Sequence, residues 1–265
     1  MTKKSKLARS FDHEAQLYHE IRPQYPKELF DELIKITHLA ADAKLLEIGP
    51  GTGQATKTLA ARNYAITAIE IGAALAEIAR HELRKYPNVN IITGAFEEVE
   101  LPLHSFDLVF AATAFHWINP ALQFRKPHQL LKSDGHLAII HTHHISDGQG
   151  DVFFHMSQPI YQRYFPKSNN VKPKLPEQHE IKLGKLDNKL FQQIHFQLFP
   201  LTIRYSAKEY RQLINTYSPT LRLPPEKRFT FLNDIQNLIE EKFEGYLEKY
   251  FSISLLIGKK YCLDK

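Results

Sequence analysis

Two periodicities alternate along this chain. Short apolar runs suited to buried strands fall at about residues 44–48, 65–70 and 89–93, separated by helical spacing at about 53–62 and 72–85. Phe106-Asp107-Leu108-Val109-Phe110-Ala111-Ala112-Thr113 reads as a fourth buried strand. A helix over about 119–131 leads to the stop-and-turn cluster Ser133-Asp134-Gly135, and His136-Leu137-Ala138-Ile139-Ile140-His141 is the fifth strand. Strands alternating with helices of this length predict an α/β fold, a doubly wound, mostly parallel sheet with helices on both faces.

The pattern differs at the two ends. Phe11 to Ile36 reads as two short helical pieces interrupted by Arg22-Pro23-Gln24-Tyr25-Pro26, because proline and the residue before it disfavour a continuing helix. Residues 1–40 are thus expected as a helical cap on a single domain spanning 1–265. Alternation stops near His143. Residues 143–190 are rich in Pro, Lys, Gln and Asn and carry the aromatic cluster Tyr161, Tyr164 and Phe165, an expected lid inserted after strand five. A strand over 194–205 despite Pro200, helices at about 206–215 and 225–246, and a last strand over Tyr250–Ile257 complete the prediction.

One stretch carries most of the candidate chemistry: Leu45-Leu46-Glu47-Ile48-Gly49-Pro50-Gly51-Thr52-Gly53. A strand runs into a glycine-dense turn and then a helix. Glycine suits places where a ligand must approach bare backbone. The spacing G-x-G-x-G is one residue tighter than the G-x-G-x-x-G of dinucleotide sites, and no Gly-Lys-Ser/Thr follows, which excludes a nucleoside-triphosphate loop. Glu47 can pair with a cationic amine. Glu70, 17 residues beyond Gly53 at the end of the second strand, is placed for two ribose hydroxyls. Both acids then sit at the carboxyl edge of the sheet, where open α/β folds bind ligands.

Composition narrows the class. The chain has 265 residues, 43% hydrophobic and 24% charged, a globular balance. Its single cysteine, Cys262, excludes an internal disulfide and fits a reducing compartment. The basic start Met1–Arg9 lacks a following apolar core, and no apolar run approaches bilayer length, so a cytoplasmic protein is expected. Residues 1–150 carry 16 basic against 17 acidic residues, while 151–265 carry 18 against 12. The second half would attract an anionic substrate, nucleic acid being one such anion.

Taken together, Glu47–Gly53, Glu70, Phe106-Asp107-Leu108-Val109, Ala114-Phe115-His116-Trp117-Ile118-Asn119-Pro120 and Ser133-Asp134-Gly135-His136-Leu137 resemble a class I S-adenosylmethionine-dependent methyltransferase. Phe11-Asp12…Tyr18…Arg22-Pro23-Gln24-Tyr25-Pro26 and Tyr205–Tyr210…Thr216-Tyr217-Ser218 resemble the trans-aconitate methyltransferase-like subgroup within it. The resemblance implies seven strands in the order 3-2-1-4-5-7-6, with the last antiparallel. It implies S-adenosylmethionine as cofactor, its methionine part wrapped by Gly49, Gly51 and Gly53 and its ribose held by Glu70. Ile71 would pack on the adenine, and Thr113 would also face the cofactor. Where many relatives place an acid near the adenine amino group this chain has Ala95, so recognition of the base leans on the Ala95 and Phe96 backbone and on Phe96 packing.

Sulfonium methyl transfer is an in-line displacement needing placement and dryness more than a catalytic side chain. His116, beside the chain's only tryptophan, Trp117, is the candidate positioning group or base. Tyr18, Arg22, Tyr25, His116, Trp117 and His141 are the substrate-side candidates, with Arg22 suited to a carboxylate. His141, His143 and His144 lack a nearby carboxylate, so no metal is expected. The expected activity is methylation of a small molecule, anionic by the charge of the second half and on oxygen. An RNA or protein methyltransferase is the alternative, although Asn/Asp-Pro-Pro-Tyr/Phe after strand four is missing; a catalytically silent cofactor-binding subunit is the other.

Overall fold

The computed structural model describes residues 14–166, 174–182 and 184–261. Phe11 and Asp12, the basic start, residues 167–173 of the inserted segment, and Cys262 lie outside the described residues.

Seven strands form one sheet: β1 (Lys44–Ile48), β2 (Ala65–Glu70), β3 (Val89–Thr93), β4 (Phe106–Ala112), β5 (Leu131–His144), β6 (Phe191–Ser206) and β7 (Tyr246–Lys260). Their order is β3-β2-β1-β4-β5-β7-β6. Pairings among β1 to β5 are parallel, and β7 runs antiparallel to both β5 and β6. The helices are α1 (Ala15–Ile21), α2 (Lys27–Thr37), α3 (Gln54–Ala60), α4 (Ala73–Leu83), α5 (Arg125–Leu130), α6 (Val152–Tyr164), α7 (Ala207–Asn215), α8 (Ser218–Leu221) and α9 (Pro225–Lys242).

Successive residues of β1 serve opposite faces of the sheet, as the two-residue period of a strand requires. Leu45 joins Ile66, Leu108 and Phe110 under Leu29, Phe30 and Leu33 of α2 and Leu59 of α3. Leu46 and Ile48 join Ile69, Val109 and Ala111 on the other face, with Leu130 of α5. A strand covered on both sides reads as a near-continuous apolar run, which β1 and β4 approach, broken by Glu47 and Asp107. A third apolar cluster gathers Phe153 of α6, Leu213 and Ile214 of α7, and Phe231, Ile235 and Ile239 of α9 over Leu247 and Phe251 of β7. Among the described residues no helix is long and apolar enough to cross a membrane.

Several boundaries differ from expectation, among them α9, which ends at Lys242 rather than near 246, and β7, which begins at Tyr246 rather than Tyr250. The helix expected over 119–131 is reduced to Arg125–Leu130, preceded by turns. Lys126 and His128 still donate to the Leu122 and Phe124 carbonyls at 3.0 Å, while Pro127 between them has no amide to donate to Gln123. Ser133-Asp134-Gly135 does interrupt the sheet, but as a register shift inside a longer β5: Leu131 pairs with Phe106 and His136 with Leu108. β5 also runs on to His144, because β7 pairs with it as far as Phe251. Pro200 is tolerated because β6 lies at the sheet edge with β7 as its only neighbour.

Candidate functional site

The turn after β1 is built from left-handed backbone. Gly49, Gly51 and Gly53 have φ of +68°, +61° and +92°. A Cβ on Gly49 would lie 2.6 Å from the Ala114 Cβ, so the turn and the loop after β4 touch through bare backbone. Gly49 donates its amide to the Ile69 carbonyl at 2.9 Å, tying the turn to the end of β2.

Glu70 completes this junction. Its buried carboxylate accepts from the Gly51 amide at 2.9 Å through one oxygen and from the Gly72 amide at 2.8 Å through the other. One acid thereby fixes both turns.

An open cavity of about 550 Å³ lies along this carboxyl edge. Of the cofactor candidates, Gly49, Gly51, Glu70, Ile71, Ala95, Phe96 and Thr113 line it; all the substrate candidates do so except His141. Glu47, Gly53 and His141 are placed otherwise. Glu47 is fully enclosed and accepts from the Thr56 hydroxyl at 2.6 Å, so it faces α3 rather than a ligand amine. Burial pushes its carboxyl up to about 8, against the Thr56 bond, with the nearby Glu70 charge adding to the rise. The group is therefore mostly protonated at neutral pH. A Cβ on Gly53 would lie 2.9 Å from Leu83, so this glycine lets α3 start close to α4. His141 lies behind His116, ring centroids 5.8 Å apart, and against His143 at 4.7 Å.

Thr113 is the most constrained residue of the wall. It is β-branched, yet has φ +57°. Its amide donates to the Ile140 carbonyl at 2.8 Å. Its hydroxyl lies 3.1 Å from the Tyr25 hydroxyl and 3.3 Å from that of Thr142. Such backbone persists only where surrounding bonds over-determine it, and here they hold a polar group at the cavity wall.

The far wall comes from the N-terminal segment and the loop after α7. The Arg22 guanidinium lies 4.6 Å from the Tyr18 ring centroid and 4.8 Å from that of Tyr217. It donates to the Thr216 hydroxyl at 2.9 Å and the Thr216 carbonyl at 2.8 Å. Among the described residues no acid forms an ion pair with it. Burial pushes the Tyr217 phenol up to about 12 and raises that of Tyr25 as well, so both stay neutral near pH 7 and neither serves there as a base. His116 packs beside Trp117, centroids 4.7 Å apart. No group of three or more potential metal ligands occurs among the described residues.

Leu75, Thr142, His144, Tyr217 and Phe251 also line the cavity. Single-chain reasoning did not select them. Leu75 lies one turn into α4 and Phe251 in the antiparallel strand, neither marked by unusual residue types. Tyr217 stood within the Thr216-Tyr217-Ser218 segment already noted, and His144 ended the histidine run.

The helix α1 lies over the glycine turn. Tyr18 is 3.4 Å from where a Gly51 Cβ would stand, and His19 lies 3.1 Å from the Thr52 hydroxyl. Arg228 of α9 bonds Glu14 at 2.6 Å. These contacts hold the N-terminal segment as one wall of the cavity.

Comparison with known proteins agrees with this geometry. Residues 46–139 match a family model described as a methyltransferase domain. An uncharacterized methyltransferase of Mycobacterium bovis is 30% identical over 134 residues, 51% of this chain and 52% of that protein. The "probable S-adenosylmethionine-dependent methyltransferase" of Saccharomyces cerevisiae is 32% identical over 143 residues, 52% of this chain and 48% of that protein. The chain thus matches about half the length of these curated relatives. A solved structure from Anaeromyxobacter dehalogenans, described as a type II methyltransferase, superposes with a TM-score of 0.62 at 20% identity, covering 90% of this chain and 97% of that one.

Proposed function

We propose that the protein is a class I S-adenosylmethionine-dependent methyltransferase acting on oxygen of a small, anionic acceptor, a reading supported by the match of residues 46–139 to a methyltransferase-domain model and by the strand order. The observation that carries the reading is the division of one cavity into two chemically different halves. One half is bare backbone, Glu70 and apolar Ile71, Leu75, Ala95 and Phe96; the other is Arg22 with Tyr18, Tyr25, His116, Trp117 and Tyr217.

The residues fit the cofactor. Glu70 presents its carboxylate at the cavity wall, where ribose hydroxyls would donate to it. Gly51 presents no Cβ toward the cavity, and Ile71, Leu75 and Phe96 supply apolar surface for a base. The cavity volume falls within the range for ligands of drug size, about 300–1,000 Å³. When bound, S-adenosylmethionine supplies a methyl group already activated on a sulfonium. What remains for the protein is to orient the acceptor and exclude water.

Arg22 supports an anionic acceptor. Two aromatic faces hold its plane, and Thr216 takes two of its donors, leaving guanidinium edge without a protein acid. A carboxylate there needs no base at neutral pH. For a hydroxyl acceptor His116 is the side chain placed to take the proton, since burial holds the Tyr25 and Tyr217 phenols neutral.

Calorimetric titration with S-adenosylmethionine and S-adenosylhomocysteine, followed by a metabolite screen for methyl incorporation, tests the proposal. Binding of both and labelling of a carboxylate- or hydroxyl-bearing anion are expected. Binding of neither by folded protein overturns the cofactor reading, and labelling confined to RNA or protein overturns the acceptor class.

A further inference from the structure

Gly94, Ala95 and Phe96 line the cavity at the end of β3, yet their side chains offer no polar atom to it. The polar groups these three residues present are backbone, with Glu97 and Glu98 of the same turn lining the cavity beside them. The Ala95 carbonyl accepts from the Glu98 amide at 2.9 Å and from the Val99 amide at 3.1 Å. In a trans peptide C=O and N–H point in opposite directions, so the Phe96 amide is turned away from that pair. Among the described residues neither the Ala95 nor the Phe96 amide donates a hydrogen bond. A buried amide without an acceptor is costly, and an acceptor atom on a ligand bound there would offset that cost.

Lys126 of α5 fixes the back of this turn. Its ammonium donates to the carbonyls of Phe96 at 2.6 Å, Glu97 at 3.2 Å and Val99 at 2.7 Å, which uses all three of its donors. It also lies 5.0 Å from the Phe96 ring centroid. The front is held by Glu97, which accepts from the Asn119 amide at 2.7 Å. Lys126 itself does not line the cavity.

We propose that Lys126 is a positioning residue: by gathering three carbonyls on the far side of the turn, it aims the Ala95 and Phe96 amides at the cofactor's base. The inference rests on the reading of the cavity as an S-adenosylmethionine site.

Lys126→Met keeps the apolar stem against Phe96 and removes every donor; Lys126→Arg retains donors for the same carbonyls. Binding of S-adenosylhomocysteine, and of its analogue with hypoxanthine in place of adenine, is measured by calorimetry for the three proteins. Wild type is expected to prefer the adenine ligand. Lys126→Met should weaken it roughly tenfold, the scale of one or two backbone hydrogen bonds, and narrow the preference, whereas Lys126→Arg recovers most of both. Equal weakening of both ligands, or no weakening, overturns the proposal. Failure of wild type to bind either ligand instead overturns the functional reading. Should Lys126→Met not fold, hydrogen exchange of the wild-type Phe96 amide decides: slowing on ligand binding is expected, and unchanged exchange refutes the role.

Discussion

Glu70→Gln is the sharpest perturbation the site allows, because it changes charge and leaves volume nearly constant. In the native protein both carboxylate oxygens accept backbone amides, from Gly51 and from Gly72. A glutamine has one acceptor oxygen and one NH₂, so whichever way the amide is turned, one backbone N–H faces another donor. Charge-assisted bonds of this kind contribute about 1.5–3 kcal/mol each, and a buried unsatisfied donor costs about 1–3 kcal/mol. The variant should lose about 2–4 kcal/mol. For a chain of this size each kcal/mol lowers Tm by about 2–4 °C, so a fall of about 4–15 °C by calorimetry or circular dichroism is expected. Affinity for S-adenosylhomocysteine should fall by at least about tenfold, since the ribose loses an anionic acceptor and the Gly51 turn loses its brace. Unchanged melting would show that Glu70 does not hold the two turns. Unchanged affinity at lowered Tm would show that it holds them without touching ligand.

Gly49→Ala should also lower Tm: left-handed backbone costs alanine about 1–2 kcal/mol, and its Cβ would stand 2.6 Å from Ala114. Adding Ala114→Gly should restore only the steric part, and full restoration or none would contradict this division. Arg22→Lys keeps the charge but loses the planar stack and fork, so KM for an anionic acceptor should rise by about tenfold while S-adenosylhomocysteine affinity stays constant. A parallel loss of both would assign Arg22 to the fold alone. Glu47, raised to about 8 by burial, binds its proton more tightly folded than unfolded. Its contribution is therefore complete below the unfolded value of about 4.5 and is lost as pH rises through about 8, a total of several kcal/mol. The melting temperature of Glu47→Gln relative to wild type should climb between pH 5 and pH 8.5, and a pH-independent difference would refute the assignment.

The parallel half of the fold was legible because β1, β2 and β4 are largely apolar runs, glycine follows closely on β1 and β2, and helical spacing separates the early strands. Glu70 was legible for the same reason: strand ends of a parallel sheet share one edge. Glu47 was not, since Glu70 ends its strand at the rim whereas Glu47 lies one residue inside β1, where the side chain turns under α3. Glycine content alone likewise could not separate Gly51, bare toward Tyr18 of the cavity wall, from Gly53, bare toward Leu83. The reach of β5 and β7 depended on their long antiparallel pairing, a tertiary property absent from local spacing. Lys126 carried no mark at all, because its three partners are backbone carbonyls about thirty residues earlier.

The most direct measurement is a crystal structure of the protein with S-adenosylhomocysteine. The ribose hydroxyls should lie within hydrogen-bond distance of the Glu70 carboxylate, the base against Ile71 and Phe96, and the sulfur facing the half of the cavity that holds Arg22 and Tyr18. Ligand bound elsewhere, or with its ribose away from Glu70, would contradict the account.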